Sequence, residues 1–239
     1  MAFFQEGPRQ PFLRAPAAII WLILILVGVH ALRVWAFAAQ SDSIIFNYGL
    51  VPARYSQAFL ASHAANPGSV FERMLPFVTY IFLHGSFAHV LINSVWLLAF
   101  GPVVARRFGS VWFLVFFLLC GIAGGAVHLA CNWASPAPMV GASAAISGLM
   151  AAAFRMLPMS PADAGPALAP ILAPRILVWT AIWALVNIVA GITGFGGEGE
   201  MQLIAWQAHL GGYAAGLFLA GPFQALALRG AANRQPPPA

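Results

Sequence analysis

The chain has 239 residues, of which 61% are hydrophobic and only 7% charged, and its mean hydropathy is +0.84. Soluble domains carry about 25% charged residues, so this composition excludes a water-soluble globule and predicts one integral membrane bundle without a separate soluble domain. The net charge is +5 and every basic residue is Arg, but the arginines are scattered along the chain, which points to membrane topology and not to a nucleic-acid surface.

Residues 1–16 contain Pro8, Arg9, Pro11 and Arg14 and are expected to form a cytoplasmic tail. Residues 17–39 are an apolar run long enough to cross the ~30 Å hydrocarbon core. The run is longer than a signal-peptide core and no small-residue cleavage site follows, so it is read as a retained first span. Arg33 is expected to snorkel to its far interface, with His30 nearby. Residues 40–83 make a long connection, uncommon unless functional. Its amphipathic pieces at 55–60 and 70–75 predict short helices lying in the interface. The second span begins at His84–His89 and ends between Gly101 and Arg107. The third, 111–131, carries Gly121 and Gly125 at GxxxG spacing, a close-packing signal. Its two cysteines, Cys120 and Cys131, lie roughly 16 Å apart on one helix and cannot pair there.

A break with two prolines at 132–140 precedes a short fourth span, 141–157, which Pro158 stops. The fifth span, 176–193, contains Asn187, read as helix–helix glue. A Gly- and Glu-rich loop, 194–200, leads to the sixth span at 203–220. Residues 225–239 end in three prolines and are expected to be a disordered cytoplasmic tail.

Six spans put both termini on one side. That side would carry Arg9, Arg14, Arg106, Arg107, Arg155, Arg175, Arg229 and Arg234, and the other Arg54 and Arg73 with Asp42, Glu72, Glu198 and Glu200, so the positive-inside rule makes the first side cytoplasmic. Spans two, four and six then start outside and run inward in parallel. Their polar groups, His84, His89 and Asn93, then Ser143, then His209, fall at similar depth in the outer half of the membrane.

Helical spacing sharpens the convergence. His89 and Asn93 are i and i+4, on one face. His209 shares a face with Gly212 and Gly216, and Ala220 extends that small stripe. Ala144, Gly148 and Ala152 form a matching stripe on the fourth span, so the two helices can approach closely and bring His209 to Ser143. Polar groups inside a membrane point to function by default. A serine activated by a histidine base is the candidate chemistry, with His89 and Asn93 as oxyanion donors. All six acidic residues lie outside the spans, so the expected pair is a Ser–His dyad whose base is held by packing alone. The same absence excludes an aspartyl intramembrane protease, and no His-Glu-x-x-His occurs to bind zinc.

The set His84-x4-His89-x3-Asn93, Gly141-Ala142-Ser143 and Ala208-His209-x2-Gly212-x3-Gly216 resembles the rhomboid family of intramembrane serine proteases, over roughly residues 17–224. The resemblance implies an all-α polytopic membrane protein, a six-transmembrane-helix rhomboid-like bundle with a water-filled cavity open to the outer face. It implies Ser143 as nucleophile and His209 as general base. It implies His89, Asn93 and the Ser143 backbone N–H as the oxyanion hole, with His84, Gly141, Gly212 and Gly216 structural near the site. No cofactor or metal is implied. The implied partners are transmembrane protein substrates and the lipid bilayer, not nucleic acid, and the implied location is a bacterial inner membrane. Three positions differ from the family pattern: Ala144 stands where Gly usually follows the serine, Ser147 where an aromatic often lies beneath the base, and Glu72 where Trp precedes Arg73.

Two other functions compete. A non-catalytic rhomboid-like protein that binds membrane helices usually lacks the Ser or the His, and both are present here. A transporter would call for charged or broken helices at mid-membrane. A metal site from His84, His89 and His209 would leave Ser143 and Asn93 unexplained.

Overall fold

A computed structural model of the chain describes residues 15–62, 68–157, 167–194 and 205–232. The expected tail at 1–14, the loop at 195–204 and the last residues, 233–239, lie outside these. The fold is an all-α polytopic bundle. Helix α1 (Ala17–Ala36) closes in a π-helical turn over its last five residues, Leu32–Ala36. Four short helices follow: α2 (Ser41–Tyr48), α3 (Gln57–Ser62), α4 (Val70–Met74) and α5 (Pro76–Thr79). The remaining long elements are α6 (Phe87–Phe108), α7 (Ser110–Cys131), α8 (Ser143–Met156), α9 (Pro174–Thr193) and α10 (Trp206–Ala232). Among the described residues five helices are long and apolar enough to cross a membrane, and α8 is a shorter sixth.

Helix α8 is the centre of the bundle. Every one of its residues except Ser143 and Phe154 is buried, enclosed by α6, α7 and α10. Its 14 residues span roughly 21 Å, well short of the hydrocarbon thickness. A helix that faces protein on all sides need not match the bilayer, so its first residue can begin below the surface.

Backbone contact without side chains holds α8 against α10. A Cβ at Gly212 would run into the Ala144 carbonyl, and one at Gly216 into the backbone of Gly148. At the same junction, a Cβ at Gly124 of α7 would sit 2.6 Å from both the Ala144 side chain and the Ala208 carbonyl. Three helices therefore meet at contacts that only glycine and alanine permit. By contrast, α9 is loosely seated. Only 11% of its most apolar window is buried, against 28–39% for the other four long spans.

The long connection is built, not slack. Its helix α4 opens on a capping box in which the Ser69 hydroxyl accepts from the Glu72 N–H and the Glu72 carboxylate accepts from the Ser69 N–H. The Ser69 N–H and, at 2.9 Å, the Ser69 hydroxyl both donate to the Glu72 carboxylate and hold its pKa below the ordinary value. Further along, Leu50 and Met139 exchange two backbone hydrogen bonds, of 3.0 and 2.8 Å. The connection is thereby fastened to the segment that leads into α8.

The structure departs from the sequence expectations in three places. Arg33 does not snorkel outward. The π-turn rotates it inward, where it is 5% exposed and donates to Ser41 Oγ and, at 2.8 Å, to the His84 carbonyl. His30 donates to the same carbonyl at 3.0 Å and is buried inside the bundle. Lastly, α10 continues to Ala232 through Pro222, so residues 225–232 are helical. The ring of Phe223 packs against Phe108, Trp112 and Phe116, which anchors the turns after the proline.

The α8–α10 contact makes a direct expectation. Gly216→Val meets rigid backbone and should cost about 1–3 kcal/mol through overpacking. Gly28→Ala, with open space around it, should be neutral or better. Thermal melting in detergent separates the two; a Gly216→Val protein that melts with the parent would contradict the contact.

Candidate active site

Ser143 opens α8, and the chain reaches it through Gly141, whose φ is +123°. The Gly141 N–H donates to the Tyr80 carbonyl at 2.9 Å, and the Tyr80 hydroxyl donates to the Gly121 carbonyl at 2.7 Å. The approach to the serine is therefore tied to both α7 and the long connection. A Cβ at Gly141 would lie 2.8 Å from Nε2 and Cε1 of His89 and 3.8 Å from Ser143 Oγ. Glycine is required there twice, by its backbone angle and by the imidazole packed against it.

His209 lies in the first turn of α10, which starts at Trp206. Its Nε2 is 2.7 Å from Ser143 Oγ. Its Nδ1 is 2.8 Å from Oδ1 of Asn187 on α9. The expectation of a base held by packing alone is thus corrected: a polar side chain on a third helix is bonded to it. Asn187 Nδ2 in turn donates to the Trp183 carbonyl at 2.8 Å, which directs the amide oxygen towards His209. In this network Nδ1 carries the proton, and bare Nε2 accepts from the serine hydroxyl. With both ring nitrogens engaged, His209 has none left for a metal. Among the described residues no three His, Cys, Asp or Glu side chains gather to hold one.

The opposite wall comes from α6. Ser86 caps this helix, its hydroxyl accepting from the His89 N–H at 3.0 Å. Asn93 is buried one turn on, and its amide donates to the His89 carbonyl at 3.0 Å, leaving one amide hydrogen uncommitted to that bond. The first intrahelical backbone bond in α8 runs from Ile146 to the Ala142 carbonyl at 3.0 Å. The N–H groups before it, Ser143's included, have no partner within the helix and sit at its positive end. Ser147 hydrogen-bonds the Ser143 carbonyl at 2.8 Å, one turn along α8.

His84 stands behind His89, their ring centroids 5.0 Å apart. Its carbonyl takes the donors from His30 and Arg33, so α1 fixes the entry to α6. Burial, with the charges of His89, His30 and Arg33 around it, pushes the His84 pKa down to about 3. Gly212 and Gly216 lie in the α8–α10 contact already described. The residues that sequence reasoning missed are Asn187 in its present role and the His30–Arg33 pair; a polar residue in mid-span was the only signal for the first.

A Rhomboid domain family model matches residues 72–224, more than half of the chain, from α4 into the last turns of α10. The chain belongs to the rhomboid family. It is 40% identical over 75 residues to the Rhomboid protease GluP of Bacillus subtilis (strain 168), covering 31% of this chain and 14% of that protein. It is 26% identical over 146 residues to RHOMBOID-like protein 5 of Arabidopsis thaliana, covering 59% of this chain and 41% of that protein. The chain thus spans less than half the length of either relative. The family match and the five long apolar helices agree on an integral, multi-pass rhomboid membrane protein.

The depressed pKa of His84 sets a pH dependence. The unfolded chain takes up this proton near 6.5 and the folded chain only near 3, so stability from this group is full above 6.5 and declines as pH falls through that window. The melting temperature in detergent should drop on acidification, and the drop should shrink in His84→Leu. An identical acid profile in both proteins would contradict the assignment.

Proposed function

We propose that this rhomboid is an intramembrane serine endopeptidase of the bacterial six-span type, cutting transmembrane segments near the outer face with a Ser143–His209 dyad. The observation that carries the reading is the 2.7 Å bond between His209 Nε2 and Ser143 Oγ, two groups 66 residues apart. A non-catalytic helix-binding relative would have no need of that bond or of the tautomer behind it.

The chemistry follows from the donors and acceptors present. Ser143 Oγ attacks the scissile carbonyl carbon while its proton passes to His209 Nε2. The carbonyl oxygen becomes an oxyanion, received by the Ser143 N–H at the positive end of α8, by the His89 ring and by the spare amide hydrogen of Asn93. His209 then gives its proton to the leaving amine, and the C–N bond breaks to leave an acyl-Ser143. A water, deprotonated by His209, attacks the acyl carbon; the serine recovers its proton and the new carboxylate leaves. Because α8 is shorter than the hydrocarbon core, water must reach Ser143 through a cavity from one face.

The catalytic unit is residues 17–224, with the 40–83 connection outside and both termini cytoplasmic in a bacterial inner membrane. The arginine distribution supports this orientation. Substrates are transmembrane proteins delivered through the bilayer.

Purified protein in liposomes, with a fluorogenic transmembrane peptide, tests the reading. Ser143→Ala and His209→Ala should each lower kcat by about 10⁴–10⁶, to a small residual rate. Asn93→Ala and His89→Ala should each lower kcat by about 10²–10³. Unchanged cleavage in Ser143→Ala would refute the proposal.

A further inference from the structure

The dyad has no carboxylate behind it, yet the base is not left to packing. We infer that Asn187 is the positioning residue of the base: its amide oxygen on α9 holds the proton on His209 Nδ1, keeping Nε2 free and aimed at Ser143. The inference rests on the dyad reading and adds to it the third member that composition hides, since every acid lies outside the spans.

Three observations carry it. First, the amide cannot turn freely. Its Nδ2 donates to the Trp183 carbonyl at 2.8 Å, so Oδ1 is the atom that meets His209 Nδ1 at 2.8 Å. An acceptor there fixes the tautomer; a donor there would force the wrong one.

Second, Asn187 belongs to an ordered ladder between α9 and α10. Thr180, Trp183 and Asn187 are i, i+3 and i+7, on one face of α9. Opposite them, Tyr213 and His209 are one turn apart on α10. The Thr180 and Tyr213 hydroxyls meet at 2.8 Å, and the Trp183 and Tyr213 rings stack with centroids 4.1 Å apart. At the top of the face, Gly191 leaves room for the Trp206 ring. Asn187 is thereby set opposite His209 by the rungs on either side of it.

Third, the position that could otherwise support the ring does not. Ser147 turns its hydroxyl to the Ser143 carbonyl at 2.8 Å on its own helix. The polar grip on His209, apart from the serine itself, comes from α9. That span is the least buried of the long five, so the base's orientation depends on a loosely seated helix staying docked.

The test uses the full-length protein in liposomes, with a fluorophosphonate probe for Ser143 and the transmembrane peptide for turnover. Asn187→Leu keeps the size and removes the acceptor; Asn187→Asp keeps an acceptor oxygen. We expect Asn187→Leu to lower kcat and the labelling rate about 10–100-fold, with KM and the melting temperature near the parent's. Asn187→Asp should restore most of the rate. Equal loss in both variants, or a loss in Asn187→Leu matched by a fall in melting temperature, would assign Asn187 to helix glue and overturn the inference. So would parental rates in Asn187→Leu. A parent that the probe does not label at Ser143 would overturn the dyad, and this inference with it; a labelled parent confines any failure to Asn187.

Discussion

The contact between α8 and α10 is the constraint on which the rest depends. Gly212 against Ala144 and Gly216 against Gly148 bring two backbones together with no side chain between them. That closeness decides how far His209 can reach, because its ring extends only from the first turn of α10 to the first residue of α8. One methyl group at either glycine would have to be accommodated by backbone movement. A displacement of 1 Å at such a site can lower a rate by ~10²-fold, so packing and chemistry are set by the same residues.

Around this rigid pair the remaining helices differ in how firmly they are held. On the α6 side, α1 contributes two donors, His30 and Arg33, to the His84 carbonyl, and the Ser86 cap fixes the start of the helix that carries His89 and Asn93. On the α9 side the described links include the Asn187–His209 and Thr180–Tyr213 hydrogen bonds, the Trp183–Tyr213 stack, the Phe154–Trp179 ring contact and the Arg175 bond to the Leu157 carbonyl. Interhelical hydrogen bonds in membranes average about 0.6 kcal/mol. The α6 side of the site is thus tied to α1, while the α9 side rests on the least buried of the long helices.

Much of this was legible in the sequence, because membranes restrict the alternatives. Apolar runs located all six helices, and i, i+4 spacing placed His89 with Asn93 and matched the two small stripes. The order of the motifs then brought Ser143 to His209. What sequence could not give were contacts whose partners lie on other helices at unrelated spacings. Asn187 reads as glue on its own span, since its partner His209 is 22 residues on, across a loop. Arg33 reads as a snorkelling cation unless the π-turn that rotates it inward is seen. The extension of α10 past Pro222 depends on the aromatic cluster around Phe223, which no local signal announces.

The central claim is that Ser143 and His209 act as one unit. A double-mutant cycle on peptide cleavage in liposomes tests it most directly, comparing Ser143→Ala, His209→Ala and the protein carrying both. Groups that work as a unit are strongly non-additive, so the double variant should cleave no more slowly than either single variant. Losses that multiply, with the double variant slower by the product of the two single effects, would mean that the residues act independently and would contradict the account.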